Sequence, residues 1–392
     1  MSELYLNKAQ FAAELEKCLQ CKSKPCTAAC PVKCSPHDFI KAAKEGDMKA
    51  AAEIIARQNP LGEVCGLICP DKFCVCACLR KHIDAPIRIP AVQAEIMRSA
   101  RENKVMTDAQ NPEFNGKQIA VVGSGPAGMG AAVKMAQAGF GVTIFEKESV
   151  VGGALNLIPA ERLPRKIIAE EWQKLCDDYS LEIKLNAQID NYETLLQKGF
   201  TAVIAATGEQ KSRALGIDGE NLAVDYQQYL QNPQKYQSEG NIAVVGGGAA
   251  AVDCAVTAAR QGAKHTEMFV RRGLSHMRIT EKERKSLLEA QVDITTMTRV
   301  TKIEKNGNDL TVHTCKTRFN AENKLEDIPQ TEVARNGFDY VILALGSTRG
   351  EEIRESEKIF YAGDVLNGSS TAVEALASGQ QTAAKVVAMF AV

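Results

Sequence analysis

Gln118-Ile-Ala-Val-Val-Gly-Ser-Gly-Pro-Ala-Gly128 is a short apolar strand running into a G-x-G-x-x-G turn, and the alanine-rich stretch Ala127 to Ala138 continues it as a helix. At such a turn Gly123 permits the tight bend, Gly125 lets the backbone approach a pyrophosphate, and Gly128 lets helix pack on strand. Pro126 and Ala127 open the helix, whose free N–H groups and partial positive charge suit phosphate. Gly139-Phe-Gly141 stops the helix, and Val142 to Phe145 forms the next strand. Glu146 ends it about 20 residues on, where a carboxylate accepts hydrogen bonds from ribose hydroxyls. The whole is a βαβ unit for a dinucleotide; a glycine turn without ligand is the bland alternative.

The pattern recurs from Asn241: strand Ile242 to Val245, turn Gly246-Gly-Gly-Ala-Ala-Ala251, helix Ala250 to Gln261, strand Thr266 to Val270. Gly246, Gly248 and Ala251 take the fingerprint positions of a G-x-G-x-x-A turn, with Ala249 and Ala250 beside them. The second strand ends in Arg271-Arg272, with no acid where Glu146 stood, and Arg278 is near in sequence. Arginine forks grip a 2′-phosphate that a carboxylate would repel, which favours NADPH over NADH. A solvated basic turn is the competing reading. Between the two units Ala202-Val-Ile-Ala-Ala-Thr-Gly208 is a buried strand ending at glycine, echoed by Tyr340-Val-Ile-Leu-Ala-Leu-Gly346. The chain closes with Ile359-Phe-Tyr-Ala-Gly363-Asp364 and a helix beginning near Thr371 and Ala372.

A chain of 392 residues predicts two or three domains. Its net charge of −1 supplies no field for nucleic acid or membrane, and no basic stripe stands out. No apolar run approaches the roughly 18 residues of a membrane span, and the first residues lack the apolar core of a signal peptide. The expected setting is cytoplasmic.

Ten of the 13 cysteines lie between Cys18 and Cys78; Cys176, Cys254 and Cys315 are scattered singly and read as small buried residues. A disulfide scaffold would be short and exported, so the cluster reads as metal ligation. Cys18-x2-Cys21-x4-Cys26-x3-Cys30-Pro31 resembles a ferredoxin run in which the cysteine before proline serves a different cluster from its neighbours. A second block follows with Cys65, Cys69-Pro70, Cys74, Cys76 and Cys78. Zinc also binds such pairs, but two Cys-Pro steps and an attached nucleotide fold needing a one-electron exit favour two 4Fe–4S clusters.

Val151-Gly-Gly153, with Ala154 after it, and the late Gly363-Asp364 resemble the two-dinucleotide-binding flavoprotein pattern, which implies FAD at the first turn. In that family the late Gly-Asp binds the ribityl chain and the following helix points at the flavin. Three further segments, Cys18-Leu-Gln-Cys21 with its continuation, Asn59-Pro-Leu-Gly-Glu-Val-Cys-Gly-Leu-Ile-Cys-Pro70 and Ala85-Pro-Ile-Arg-Ile-Pro-Ala-Val-Gln93, extend the likeness. With them the whole chain is similar to the flavoprotein half of dihydropyrimidine dehydrogenase and to the glutamate synthase small subunit. The resemblance implies one cluster on Cys18, Cys21, Cys26 and Cys78, and another on Cys30, Cys69, Cys74 and Gln93. Cys34, Cys65 and Cys76 are then spare, with Cys76 a possible substitute for Cys74 because the second block is one residue short. Glutamate synthase small subunits tend to carry glutamate at the Gln93 position. The same likeness gives Arg162, in Ile158-Pro-Ala-Glu-Arg-Leu-Pro164, a contact to FAD, although Glu161 replaces the usual aromatic. It assigns Arg271, Arg272 and Arg278 to the 2′-phosphate, and sets Gly208 and Gly346 near flavin and nicotinamide.

The implied fold class is an α+β multidomain chain, a helical bis-4Fe–4S domain followed by two interleaved Rossmann-like domains. The expected boundaries are 1–110 for the iron–sulfur domain, 117–208 with 340–392 for FAD, and 209–339 for NADPH. The implied activity is NADPH oxidation by FAD, with electrons leaving singly through the clusters. The expected partner is an FMN-containing catalytic subunit of dihydropyrimidine dehydrogenase type; a glutamate synthase large subunit, or no subunit at all in a stand-alone reductase, are the alternatives.

Overall fold

A computed structural model describes residues 4–104, 112–350, 352–354 and 356–390; the polar stretch Arg101 to Lys117, whose Asn111-Pro112 and Asn115-Gly116 steps read as a linker in the sequence, falls partly outside them. The chain forms two compact units. The first comprises Met1–Asn156, Ala160–Gln210 and Arg349–Val392; the second, Leu157–Pro159 and Lys211–Thr348.

The first unit opens with short helices. Asp47 caps the helix Met48–Gln58 by accepting from the Ala50 N–H at 2.9 Å, and that helix buries Ala51, Ala52 and Ile55. The helix Gly62–Ile68 is buried from Gly62 to Leu67. It packs backbone to backbone on the helix Ile89–Glu102, where a Cβ on Gly66 would stand 2.5 Å from the Ala94 nitrogen. Only glycine allows that approach, and it sets Cys65 and Cys69 beside Gln93.

The same unit holds a five-stranded parallel sheet in the order Ile359–Tyr361, Ala202–Ala205, Gln118–Val122, Gly141–Phe145, Glu182–Lys184. The central strands are buried runs, as a sheet covered on both faces requires. The first glycine turn leads into the helix Pro126–Ala136, which crosses the last helix, Ala372–Phe390, at small residues. A Cβ on Gly379 would lie 1.9 Å from the Ala127 carbonyl oxygen, and one on Gly130 2.6 Å from that of Leu376. Two helices that begin in the FAD region of the sequence are thus locked together.

The second unit is built on an eight-stranded mixed sheet. Its parallel part runs Val333–Leu343, Asn241–Val245, His265–Val270, Asp293–Thr296, and a long antiparallel pair, Thr298–Asn306 with Asp309–Phe319, extends it. Alternate residues feed two cores: Ile242, Val244, Met268 and Ile342 on one face, Ala243, Val245, Phe269 and Val341 on the other. Tyr340–Leu343, expected in the FAD domain, belongs here instead, paired with Ile242–Val245. The unit boundary accordingly falls at Thr348/Arg349, because a strand joins the sheet whose edge it pairs with. Among the described residues no helix is long and apolar enough to cross a membrane.

Candidate functional site

At the first glycine turn Gly123 has φ +105°, and an added Cβ there would meet the Ala206 carbonyl oxygen at 2.4 Å. On Gly128 it would meet the Gly123 oxygen at 1.9 Å, whereas beside Gly125 nothing lies within 4 Å. The turn is therefore sealed against its own fold at two glycines and open at the third, the arrangement a pyrophosphate needs. Gly125 is the N-cap of the helix that Pro126 and Ala127 begin. Gly153 folds back onto the turn, its Cβ position 3.1 Å from the Gly125 Cα, while Ala154 is exposed.

Glu146 is buried at the end of its strand. Its Oε2 accepts from the Ser124 N–H at 2.8 Å and the Ser124 hydroxyl at 2.6 Å, and its Oε1 from the Glu148 N–H at 2.9 Å. The acid that would hold a ribose also ties the glycine turn to the strand end. Arg162 is half-buried in the turn before the helix Arg165–Tyr179. Gly208 has φ +72° with open space around its Cβ position.

Gly363 has φ +76° and sits against Ala127, whose Cβ an added Cβ on Gly363 would meet at 2.5 Å. The Ser370 hydroxyl donates to the neighbouring Asp364 carboxylate, whose pKa burial raises. Thr371 caps the last helix reciprocally with Glu374: its hydroxyl donates to Glu374 at 2.8 Å, and the Glu374 N–H returns at 3.4 Å. Ala372 is the first helical residue. The first glycine turn, Gly153, Gly363 and the last helix thus converge around one helix crossing; Arg162 and Gly208 are not among the residues that these contacts place there.

In the second unit an added Cβ on Gly246 would meet the Ala344 oxygen at 2.2 Å, while Gly248 is open and caps the helix begun by Ala249 and Ala250. The backbone of Arg278 pairs with Gly248 in an isolated parallel bridge, which sets that arginine beside the nucleotide turn. Arg271 and Arg278 are exposed and Arg272 half-buried. Gly346 has φ +83° and an open Cβ position.

The thiols fall into two neighbourhoods that adjoin at Cys26 and Cys74. Burial first, then the charges of Cys18 and Cys78, raises the Cys26 pKa; burial, Cys21 and Cys78 act likewise on Cys18, against the Gln20 amide. Those four cysteines form one group. Cys30, Cys34, Cys65, Cys69, Cys74 and Gln93 line a single cavity of about 20 Å³, with Asn59 and Val373 on its wall. Asn59 is 2% exposed and its Oδ1 has no hydrogen-bond partner. Burial lifts the Cys69 and Cys74 thiols well above the ordinary range, with neighbouring thiols adding to it. Cys76 is exposed and is absent from that wall. Soft sulfur donors in two groups, one around a cavity with an orphaned polar atom, fit iron–sulfur clusters.

Several residues escaped the sequence reading. Trp172, buried and the single tryptophan of the chain, donates its Nε1–H to the Ser124 carbonyl at 2.9 Å. Its neighbour Glu171 accepts from the Glu63 and Val64 N–H groups at 2.8 and 3.1 Å, at the start of the helix that carries Cys65. Adjacent residues of one helix therefore hold the first glycine turn and the cysteine module. Lys72, between Cys69 and Cys74, pairs with Glu374 at 3.1 Å, a second link of the same kind. A lone tryptophan could have been noticed in the sequence; nothing local distinguishes Glu171 from other helix acids.

The two nucleotide turns and the clustered thiols fit one class, which the family models and relatives show: an oxidoreductase dependent on NAD(P)H, with FAD and 4Fe–4S clusters as cofactors. Comparison with known proteins gives the lineage. The chain belongs to the pyridine nucleotide-disulphide oxidoreductase family, whose model matches residues 117–379, and residues 2–105 match the 4Fe-4S domain II of dihydropyrimidine dehydrogenase. It is 30% identical over 401 residues to the NAD-dependent dihydropyrimidine dehydrogenase subunit PreT of Escherichia coli (strain K12), covering 94% of this chain and 92% of that protein. It is 26% identical over 436 residues to the glutamate synthase [NADPH] small chain of the same organism, covering 97% and 92%. Among solved structures, Mycobacterium tuberculosis FprA in complex with NADPH is similar in fold, with a TM-score of 0.58 at 15% identity over 69% of this chain and 84% of that one. The thioredoxin reductase of T. acidophilum gives a TM-score of 0.53 at 17% identity, over 70% of this chain and all of that one.

Proposed function

We propose that this chain is the NADPH-oxidising electron-input subunit of a cytoplasmic complex of dihydropyrimidine dehydrogenase type, its partner an FMN-containing catalytic subunit. The observation that carries the reading is the direct attachment of the cysteine module to the flavin turn through Glu171 and Trp172. An electron carrier and a nucleotide fold that were merely strung together would not share one helix in this way. Bound FAD supplies the conversion of a hydride pair into single electrons, and 4Fe–4S clusters carry these onward.

The chain's own residues do the rest. The Gly123–Gly128 turn, Glu146 and the Gly363–Ala372 region bind and orient FAD, with Arg162 and Gly208 beside it. Gly246, Gly248 and the first turn of Ala249–Arg260 take the NADPH pyrophosphate, and Arg271, Arg272 and Arg278 its 2′-phosphate. NADPH is favoured here although the PreT relatives are named NAD-dependent, because these three arginines flank a strand end that lacks a carboxylate. Cys18, Cys21, Cys26 and Cys78 hold one cluster. Cys30, Cys69 and Cys74 hold three corners of the other, with Gln93 and Cys34 both on the wall of the same cavity. Val373, next to the FAD-binding Ala372, also lines that cavity, so this cluster is the first to receive electrons.

Residue type at position 93 and the 30% identity to PreT favour the dihydropyrimidine dehydrogenase type. The glutamate synthase small subunit is the second reading, supported by the 26% relative. Anaerobic reconstitution decides between them: NADPH-driven reduction of a pyrimidine with an FMN-containing subunit is expected, and NADPH-driven glutamate formation with a synthase large subunit would overturn it.

A further inference from the structure

We propose that the thiolate of Cys34, rather than the side-chain oxygen of Gln93, is the fourth protein ligand of the cluster held by Cys30, Cys69 and Cys74. The inference rests on the reading of that cavity as a cluster site.

Cys34 is 1% exposed and lies on the cavity wall with the other three thiols. The chain is turned to put it there. The Lys33 N–H closes back on the Cys30 carbonyl at 3.0 Å, and Lys33 takes a left-handed φ of +56°, so Cys34 returns toward Cys30. Cys65, the other buried thiol on that wall, sits inside the helix Gly62–Ile68, one turn before Cys69, whose N–H donates to the Cys65 carbonyl at 2.8 Å.

Gln93 is committed elsewhere at its nitrogen, which donates to the Gly62 carbonyl at 2.7 Å. That bond leaves Oε1 facing the Cys34 sulfur at 4.0 Å. Both atoms therefore address the same space, and chemistry chooses between them. Iron–sulfur iron prefers an anionic, soft thiolate to a neutral amide oxygen. On ligation the Cys34 S–H gives its proton to solvent as the iron–sulfur bond forms. Gln93 then acts as an acceptor beside the cluster. The unpartnered Oδ1 of Asn59, on the same wall, is an independent sign that this space is built for a group and not for packing.

A thiolate ligand adds one negative charge relative to an amide and lowers the cluster's reduction potential. The test uses the full chain, purified anaerobically, with Cys34→Ser, Cys34→Ala, Gln93→Ala and Cys65→Ser. Bound flavin serves as the check that each variant is folded. Iron and sulfide content, the electron paramagnetic resonance of the reduced clusters and their midpoint potentials are measured. The expected result is that both Cys34 variants change one cluster's signal and shift its potential upward or lose its iron, while Gln93→Ala and Cys65→Ser leave both clusters as in the wild type. Unchanged clusters in Cys34→Ala, or a cluster altered by Gln93→Ala alone, would overturn the ligand assignment. Wild-type protein with iron for only one cluster would overturn the cluster reading itself.

Discussion

The indole Nε1 of Trp172 donates to the carbonyl of Ser124 at 2.9 Å, inside the first glycine turn. Ser124 is fully buried, and its carbonyl also accepts from the Gly152 N–H at 3.2 Å. Its hydroxyl goes to Glu146. One serine thus gathers the turn, the acid and the Val151–Gly153 loop onto a single tryptophan.

Trp172→Phe removes that donor and shrinks a buried side chain. A loss of about 1–3 kcal/mol in stability is expected, together with weaker FAD retention, since the turn loses its anchor. Thermal unfolding and flavin release monitored by fluorescence check this. A variant that melts and holds flavin like the wild type refutes the anchoring role.

Gly128 and Gly125 predict opposite outcomes for the same substitution. Gly128→Ala drives a Cβ to 1.9 Å from the Gly123 oxygen and is expected to destabilise the fold itself, by about 1–3 kcal/mol. Gly125→Ala meets nothing within 4 Å in the protein, so the fold should survive while FAD is lost. Melting temperature of the apoprotein and flavin-to-protein absorbance ratio separate the two effects. Full flavin occupancy in Gly125→Ala would show that the pyrophosphate does not approach there.

Arg271→Ala combined with Arg272→Ala is expected to raise the KM for NADPH by roughly 10- to 100-fold, the loss of one to two charge-assisted hydrogen bonds. NADH oxidation should change by less than about twofold. Steady-state kinetics with both nucleotides read the difference, and equal losses for the two refute the 2′-phosphate contact.

Glu171 couples stability to pH. Burial first, then the charge of Glu63, pushes its pKa up to about 8 against the two backbone N–H donors that pull it down. An acid whose folded pKa exceeds its unfolded one binds more protons when folded, so its contribution is complete below the unfolded value. That contribution declines as pH rises through about 8. The wild type should therefore melt at falling temperature from about pH 5 to 8, with Glu171→Gln giving a flatter profile. Parallel profiles would remove Glu171 as the titrating group.

Both βαβ units were legible because a strand, a glycine turn and a helix are adjacent in sequence, and their pattern is local. Gly123 and Gly128 are sealed against backbone oxygens and Gly125 is open, the local geometry that the spacing predicts. Tyr340–Leu343 was misplaced since its identity as a strand is local but its partner, Ile242–Val245, lies far away in sequence. That Cys34 lies on the cavity wall is hidden along the chain for a similar reason. Spacing along the chain says how far apart two thiols can be, not which cavity both will face.

The sequence by itself determined that this chain has two dinucleotide turns, ten clustered cysteines and an arginine-ended strand, because covalent order and side-chain chemistry are enough for those. Folding settled which sheet owns each late strand, which thiols stand around one cavity, and that Glu171 and Trp172 join the cysteine module to the first glycine turn. Those are consequences of packing: Gly66 must meet Ala94, and Gly379 must meet Ala127, before any of these side chains become neighbours.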